Sequence, residues 1–357
     1  MAQTPSSPPP IEKPTWASRL DLASARLGGL TLASSDDFFA EKENLLLDQP
    51  AEFKVGSFTD RGKWMDGWES RRNRDPAKHH DWVVLRLGLA GRIAGFDVDT
   101  SFFVGNAPEH VAIDALAYEG PLRPHEVPTI NPALWVEVLP KTAVERGAHN
   151  FLALSDAQSA LVARATHVRL RIFPDGGVAR FRVYGDVVPD WSRALPGQLV
   201  DLASMSWGGR ALASNDAFFS PKDNINLPWS SRRMDDGWET RRRRTYNAGL
   251  DRHDWILLEL GKPGTIKQAV IETHHFKGNP PDRCLLEGVN LPGASLAALT
   301  EPGVAWQTLL PMSPVEPHGT HVFDRELVDL GVVTHVRLTI EPDGGVSRLR
   351  LFGVAGG

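Results

Sequence analysis

Cys284 is the only cysteine in the 357 residues, so an intramolecular disulfide and a cysteine-rich zinc site are both excluded. A chain this poor in thiols is expected in a reducing compartment, here the cytoplasm. Positive charge is not in excess either: 39 Lys and Arg face 44 Asp and Glu, a formal net charge of −5. No global field draws nucleic acid or an anionic membrane, and neither is expected as a partner. No apolar run approaches the roughly 18 residues of a membrane span. The start, "MAQTPSSPPPIEKP", lacks the apolar segment of a secretory signal, and residues 1–15 are expected to be a disordered tail. The end, "VAGG", carries no peroxisomal tripeptide. Gly-x-Ser-x-Gly, the P-loop, the dinucleotide glycine fingerprint and His-Glu-x-x-His are all missing.

What the chain does have is a repeat. "MDGWESRR" (65–72) returns as "DDGWETRR" (235–242), "LASSDDFF" (32–39) as "LASNDAFF" (212–219), and "HDW" at 80–82 returns at 253–255. "THVRLRIFPDGGVARFRVYG" (166–185) returns as "THVRLTIEPDGGVSRLRLFG" (334–353), identical at 14 of 20 positions. The offset drifts from 180 to 168 as connecting loops change length. Two copies this long are duplicated domains, not a solenoid. The expected division is a tail over 1–15, a first repeat over 16–188, a linker over 189–198 and a second repeat over 199–357.

The local pattern is β. Val168, Leu170 and Ile172 alternate with Arg169 and Arg171, as in a half-buried strand. Pro174-Asp175-Gly176-Gly177 reads as the turn of a hairpin to the alternating "VARFRVYG". "DWVVLRLG" (81–88) and "DWILLELG" (254–261) read as strands stopped by glycine, and 155–165 is the best short helix. The fold class is all-β: two tandem antiparallel jelly-roll or β-sandwich domains related by duplication.

Polar candidates sit in the repeated blocks. In an extended "GWESRR", Glu69 and Arg71 share one face and Trp68 and Arg72 the other, so a carboxylate and a guanidinium can form an anion fork beside a proton-transfer group. The same cluster beside a core Trp is equally an ion pair at a strand end. "DTSFFVGN" (99–106) and "ETHHFKGN" (272–279) place Asp99 on the side of Phe103, and Glu272 on the side of His274 and Phe276. Arginines are the expected partners of these two acids, and Gly105-Asn106 and Gly278-Asn279 form turns. Asp175, Arg180, Asp343 and Arg348 belong to the Pro-Asp-Gly-Gly blocks, whose prolines and glycines a hairpin explains without any ligand. His274 and His275 are adjacent on a strand, point to opposite faces, and do not make a metal site with His253.

Taken in order and in duplicate, "GWESRR", "HDW", "DTSFFVGN" and "PDGGVARFRVYG" resemble the allantoicase family from about Leu20 to Gly353. The resemblance implies two jelly rolls of galactose-binding type, conversion of allantoate and water to ureidoglycolate and urea, no cofactor, and a homo-oligomer. Glu272 stands where the family's second copy commonly has Asp. Allantoate carries a carboxylate and two ureido groups. Its chemistry asks for an arginine fork, amide contacts, and an acid and base at the leaving nitrogen and attacking water. On that basis Glu69, Asp99, Glu239 and Glu272 are the candidates for proton transfer. Arg71, Arg72, Asn106, Asp175, Arg180, Arg241, Arg242, His275, Asn279, Asp343 and Arg348 are the candidates for binding, with no metal ligand among them. Urea departs either before water adds, leaving an imine, or by direct displacement, and either one repeat or both react. A tandem carbohydrate-binding protein, using some of the eleven Trp as platforms, is the alternative.

Overall fold

The computed structural model describes residues 12–75, 77, 79–242 and 253–356. The tail expected over 1–15 lies outside the described residues as far as residue 11. The chain divides into two units, Met1–Val188 and Pro189–Gly357.

In the first unit Leu20–Asp21, Arg180–Val187, Asp81–Asp99, Ala165–Phe173, His110–Leu116 and Val136–Ala143 neighbour one another in that order. Leu30–Ser34 and His149–Ala153 add to the long strand Asp81–Asp99. All of these pairings are antiparallel. The second unit repeats the order with Val200–Asp201, Arg348–Ala355, Asp254–Glu272, Val333–Glu341, Arg283–Val289 and Gln307–Pro314, and with Arg210–Ser214 and Thr320–Phe323 alongside the long strand. Val168, Leu170 and Ile172 are fully buried, as their alternation requires, and Val336, Leu338 and Ile340 match them in the second unit.

Two expectations are corrected. The strands flanking Pro174–Gly177 do not form a hairpin. Ala165–Phe173 pairs with the first half of the long strand, Ile172 opposite Asp81, whereas Arg180–Val187 pairs with its second half, Arg180 opposite Asp99. The Pro-Asp-Gly-Gly segment therefore passes from the first half of the long strand to its second, and Gly177–Val178 pairs with Trp68–Glu69 on the way. Alternation marks a strand but not its partner. Nor does glycine stop the long strands, which run 19 residues through Gly88 and Gly261. A Cβ at Gly88 would stand 2.5 Å from the Leu27 carbonyl oxygen, and one at Gly261 1.8 Å from that of Trp207. The glycines are there for close backbone approach. The helix expected over 155–165 is a single turn, Asp156–Ala160, with Ser155 and Gln158 capping each other. Among the described residues no helix is long and apolar enough to cross a membrane.

Candidate functional site

The repeated Asp-Gly-Trp is mostly scaffold. Trp68 and Trp238 are fully buried, and each indole N–H donates at 2.8 Å to a backbone carbonyl, of Asp36 and Asp216 respectively. That satisfies the one polar atom of a side chain otherwise suited to the core. Asp66 accepts Arg180 Nη1 and Nη2 at 3.1 and 2.8 Å, while Arg180 Nε donates to the Gln49 carbonyl at 2.9 Å. Arg348 likewise spends its donors on the Trp229, Asn224 and Asp236 carbonyls. Both guanidiniums are buried. The structure thus uses Arg180 and Arg348, expected to bind a ligand, as internal ties between loops.

Arg71 and Arg241 behave as a second matched pair. Each donates from Nε at 2.7 Å to a carboxylate, Asp36 or Asp216. Each also stacks 5.1 Å over a phenylalanine ring, Phe38 or Phe218. Arg72 forks inward. Its Nη1 donates to the buried Asp175 at 3.0 Å and its Nη2 to the Gly105 carbonyl at 3.1 Å, which fixes the bend that carries Asn106. Asn73 N–H donates to the other Asp175 oxygen at 2.8 Å. In the second repeat Arg242 Nη2 donates to the Gly278 carbonyl at 2.5 Å, and Asp343 is buried at the corresponding turn.

This network ends on a carboxyl. Asn106 Nδ2 donates to Glu69 Oε1 at 2.6 Å, and Asn279 Nδ2 to Glu239 Oε1 at 2.5 Å. Burial raises both carboxyls above their ordinary value, an effect only partly offset by the amide and, at Glu69, by Arg72. Glu69 opens onto a cleft of about 580 Å³ walled by Phe39, Phe53, Met65, Phe102 and Val104, with Lys63, Gly105 and Asn106 completing its lining. Among the described residues its second oxygen has no hydrogen-bond partner. A carboxyl whose pKa is raised by burial, with one oxygen fixed by an amide and the side chain lining a largely apolar cleft, is equipped to pass a proton to a bound molecule.

Asp99 and Glu272 stand elsewhere. Strand alternation stops at Asp99, where Phe103 N–H turns back to the Thr100 carbonyl at 3.0 Å, so Phe103 does not share the face of Asp99. Asp99 accepts Ser101 N–H at 2.8 Å and lies 3.5 Å from His149 Nε2, so histidine takes the place of the arginine expected there. His149 Nδ1 is 2.8 Å from Asp97, and this bond raises the histidine's pKa. Glu272 does find an arginine: Arg350 Nε donates to it at 3.1 Å. His275 adopts φ 73° and Phe102, at the same place in the first repeat, φ 69°. This left-handed geometry is uncommon for bulky side chains, and it sends the next residue, Phe276 or Phe103, into the core. His275 Nε2 lies 3.0 Å from the Ser231 carbonyl oxygen.

Sequence reasoning missed Lys63, Phe53, Phe102 and Asp36. Asp36 lay inside a matched block. Lys63 and Phe53 lay where the repeat offset jumps, and that jump was the available signal. A second cleft, of about 410 Å³, lies between Trp255 and Trp306, but there Arg337 is held by Glu287 at 2.7 Å and stacked on Trp306. Among the described residues no group of three or more His, Cys, Asp or Glu is placed to hold a metal ion.

The allantoicase repeat family model matches residues 20–188 and 200–356. The chain is 44% identical over 334 residues to a probable allantoicase of Photobacterium profundum, covering 94% of this chain and 96% of that protein. It is 42% identical to probable allantoicase 2 of Burkholderia pseudomallei, covering 94% of each. The crystal structure of allantoicase from Saccharomyces cerevisiae superposes with a TM-score of 0.73 at 34% identity, covering 94% of this chain and 93% of that one.

Proposed function

The chain belongs to the allantoicase family, and from that premise we propose that it hydrolyses allantoate to ureidoglycolate and urea at the Glu69 cleft of the first repeat. One observation carries the choice of place: Glu69 is the one carboxyl lining that cleft among the described residues, with burial raising its pKa. A single carboxyl favours a stepwise reaction. Protonated Glu69 gives its proton to the ureido nitrogen as the C–N bond breaks, and the lone pair of the other ureido nitrogen forms a C=N bond at the central carbon. Urea leaves. The ionised Glu69 then takes a proton from water as its oxygen adds to that carbon, which restores the acid and yields ureidoglycolate. Direct displacement with carboxylates as both acid and base needs two of them at the same moment, and the cleft lining offers one.

Asn106 holds the carboxyl in place, and its own carbonyl suits a ureido N–H. Arg72 acts through the loop it ties to Asp175. Residence in the cytoplasm and assembly into a homo-oligomer belong to the same reading. The carbohydrate-binding alternative loses its ground to the family assignment. The test is urea release from allantoate, measured per folded molecule in the wild type and in Glu69→Gln. Turnover by the wild type and a large loss in the variant at unchanged thermal stability support the reading, and equal turnover overturns it.

A further inference from the structure

The two repeats differ most where the first carries ten more residues: the offset falls from 180 at Phe39 and Phe219 to 170 at Asp66 and Asp236. Matched hydrogen bonds locate the addition. Glu52 N–H donates to Asp66 at 2.8 Å, and Arg232 N–H to Asp236 at 3.0 Å, so Glu52 and Arg232 are equivalent. Counting back from the shared Asp-Gly-Trp sets Lys63 against Arg233 and Met65 against Asp235. Residues 53–62 therefore have no counterpart. They supply most of a small hairpin, in which Phe58–Thr59 pairs with Gly62–Lys63, and they supply Phe53, which stacks on Phe102 with ring centroids 5.7 Å apart.

The consequence is a difference in charge. Arg233 is neutralised, its Nη2 2.9 Å from Asp235. In the first repeat the buried Met65 stands in Asp235's place, and among the described residues Lys63 has no carboxylate partner. Its Nζ rests 4.6 Å from the centre of the Phe53 ring, on the wall of the cleft that holds Glu69. The arginines that the sequence offers for an anion are engaged elsewhere: Arg71 with Asp36, Arg72 with Asp175 and the Gly105 carbonyl. Lys63 is exposed at the edge of an apolar cleft with no carboxylate partner among the described residues, and such an ammonium suits an anion with a small charged head.

We propose that Lys63 binds the carboxylate of the substrate, and that the unneutralised cation and the inserted hairpin make the first repeat's cleft the productive one. This rests on the allantoate reading. The anchor also orients the reaction, because fixing the carboxylate leaves the ureido groups on the same central carbon for Glu69 and Asn106.

The test compares steady-state urea release from allantoate by the wild type, Lys63→Met, Lys63→Arg and Arg233→Met. Loss of one charge-assisted contact predicts a KM raised roughly 10- to 150-fold in Lys63→Met with kcat within about threefold. Lys63→Arg is expected to recover most of that loss, and Arg233→Met to match the wild type. Wild-type turnover with an unchanged KM in Lys63→Met overturns the Lys63 assignment alone. So does a loss confined to kcat, or the same rise in KM in Arg233→Met. Absence of any urea from the wild type overturns both this assignment and the function it rests on.

Discussion

Glu69 and Glu239 are chemically alike: each accepts from an asparagine amide, and each is raised by burial. What separates them is the surrounding cleft. Replacing Glu69 by Gln keeps its shape and its bond to Asn106 but removes the transferable proton. The expected result is a fall in kcat of about 10²- to 10⁴-fold, read as urea release, with an unchanged melting temperature. Glu239→Gln is expected to leave kcat near the wild-type value. Arg180 belongs to the opposite class. It is buried against Asp66 and the carbonyls of Gln49 and Asp66, so Arg180→Met leaves a carboxylate and carbonyls unpaired. That costs about 3–5 kcal/mol of stability, measurable as a lowered denaturant midpoint, while the molecules still folded keep their turnover. From sequence both residues are candidates for the site, Glu69 for proton transfer and Arg180 for binding, because a repeated charged residue signals necessity without saying whether for chemistry or for folding.

At the scale of elements, the ten-residue addition in the first repeat is the part with a consequence of its own. Excising 53–62 and joining Glu52 to Lys63 gives a connection as long as the one between Arg232 and Arg233. The anchors on both sides, Asp66 to Glu52 N–H and Asp66 to Arg180, lie outside the deletion. The variant is expected to fold with an unfolding midpoint near that of the wild type. Its KM for allantoate is expected to rise, because Phe53 no longer walls the cleft or supports Lys63. A collapse of the circular dichroism spectrum would instead show the hairpin to be part of the fold. The crossing made by Pro174–Gly177 is the other decisive element: it carries Asp175 to Arg72 and lays Gly177 beside Glu69. A hairpin there would have left Glu69 without its supporting strand.

Over the whole molecule, the duplication puts a buried histidine at the same place in each repeat. His167 and His335 each lie 2.9 Å from the hydroxyl of the preceding threonine, and among the described residues their buried Nε2 atoms have no partner. Burial lowers both, His167 from 6.5 to about 4. The unfolded chain therefore takes up protons near pH 6.5 that the folded chain refuses. The stability these histidines contribute is complete above pH 6.5 and drains away as pH falls towards 4. The His167 shift is worth about 3 kcal/mol over that window. Denaturant midpoints measured between pH 7 and 4 are expected to fall, and His167→Gln with His335→Gln to flatten the fall. An equal slope in the double variant would place the acid sensitivity elsewhere.

The sequence by itself determined the duplication, the β class and the family, because alternation and ordered repeats are properties of the chain that survive changes in loop length. It also marked the Glu-Ser-Arg-Arg and Glu-Thr-Arg-Arg blocks and the two asparagines as site candidates. Tertiary structure decided which of these charges are free. Arg180 and Arg348 became ties because carbonyls from distant loops close around them, and Asp99 lies beside His149 because the two are cross-strand partners. Lys63 gained its place from a stacked pair, Phe53 and Phe102, that lie far apart in the chain. Charge and hydrophobicity are written locally. Desolvation and the presence or absence of a counter-ion depend on residues brought together only by folding, and those two quantities separate a reacting group from a structural one.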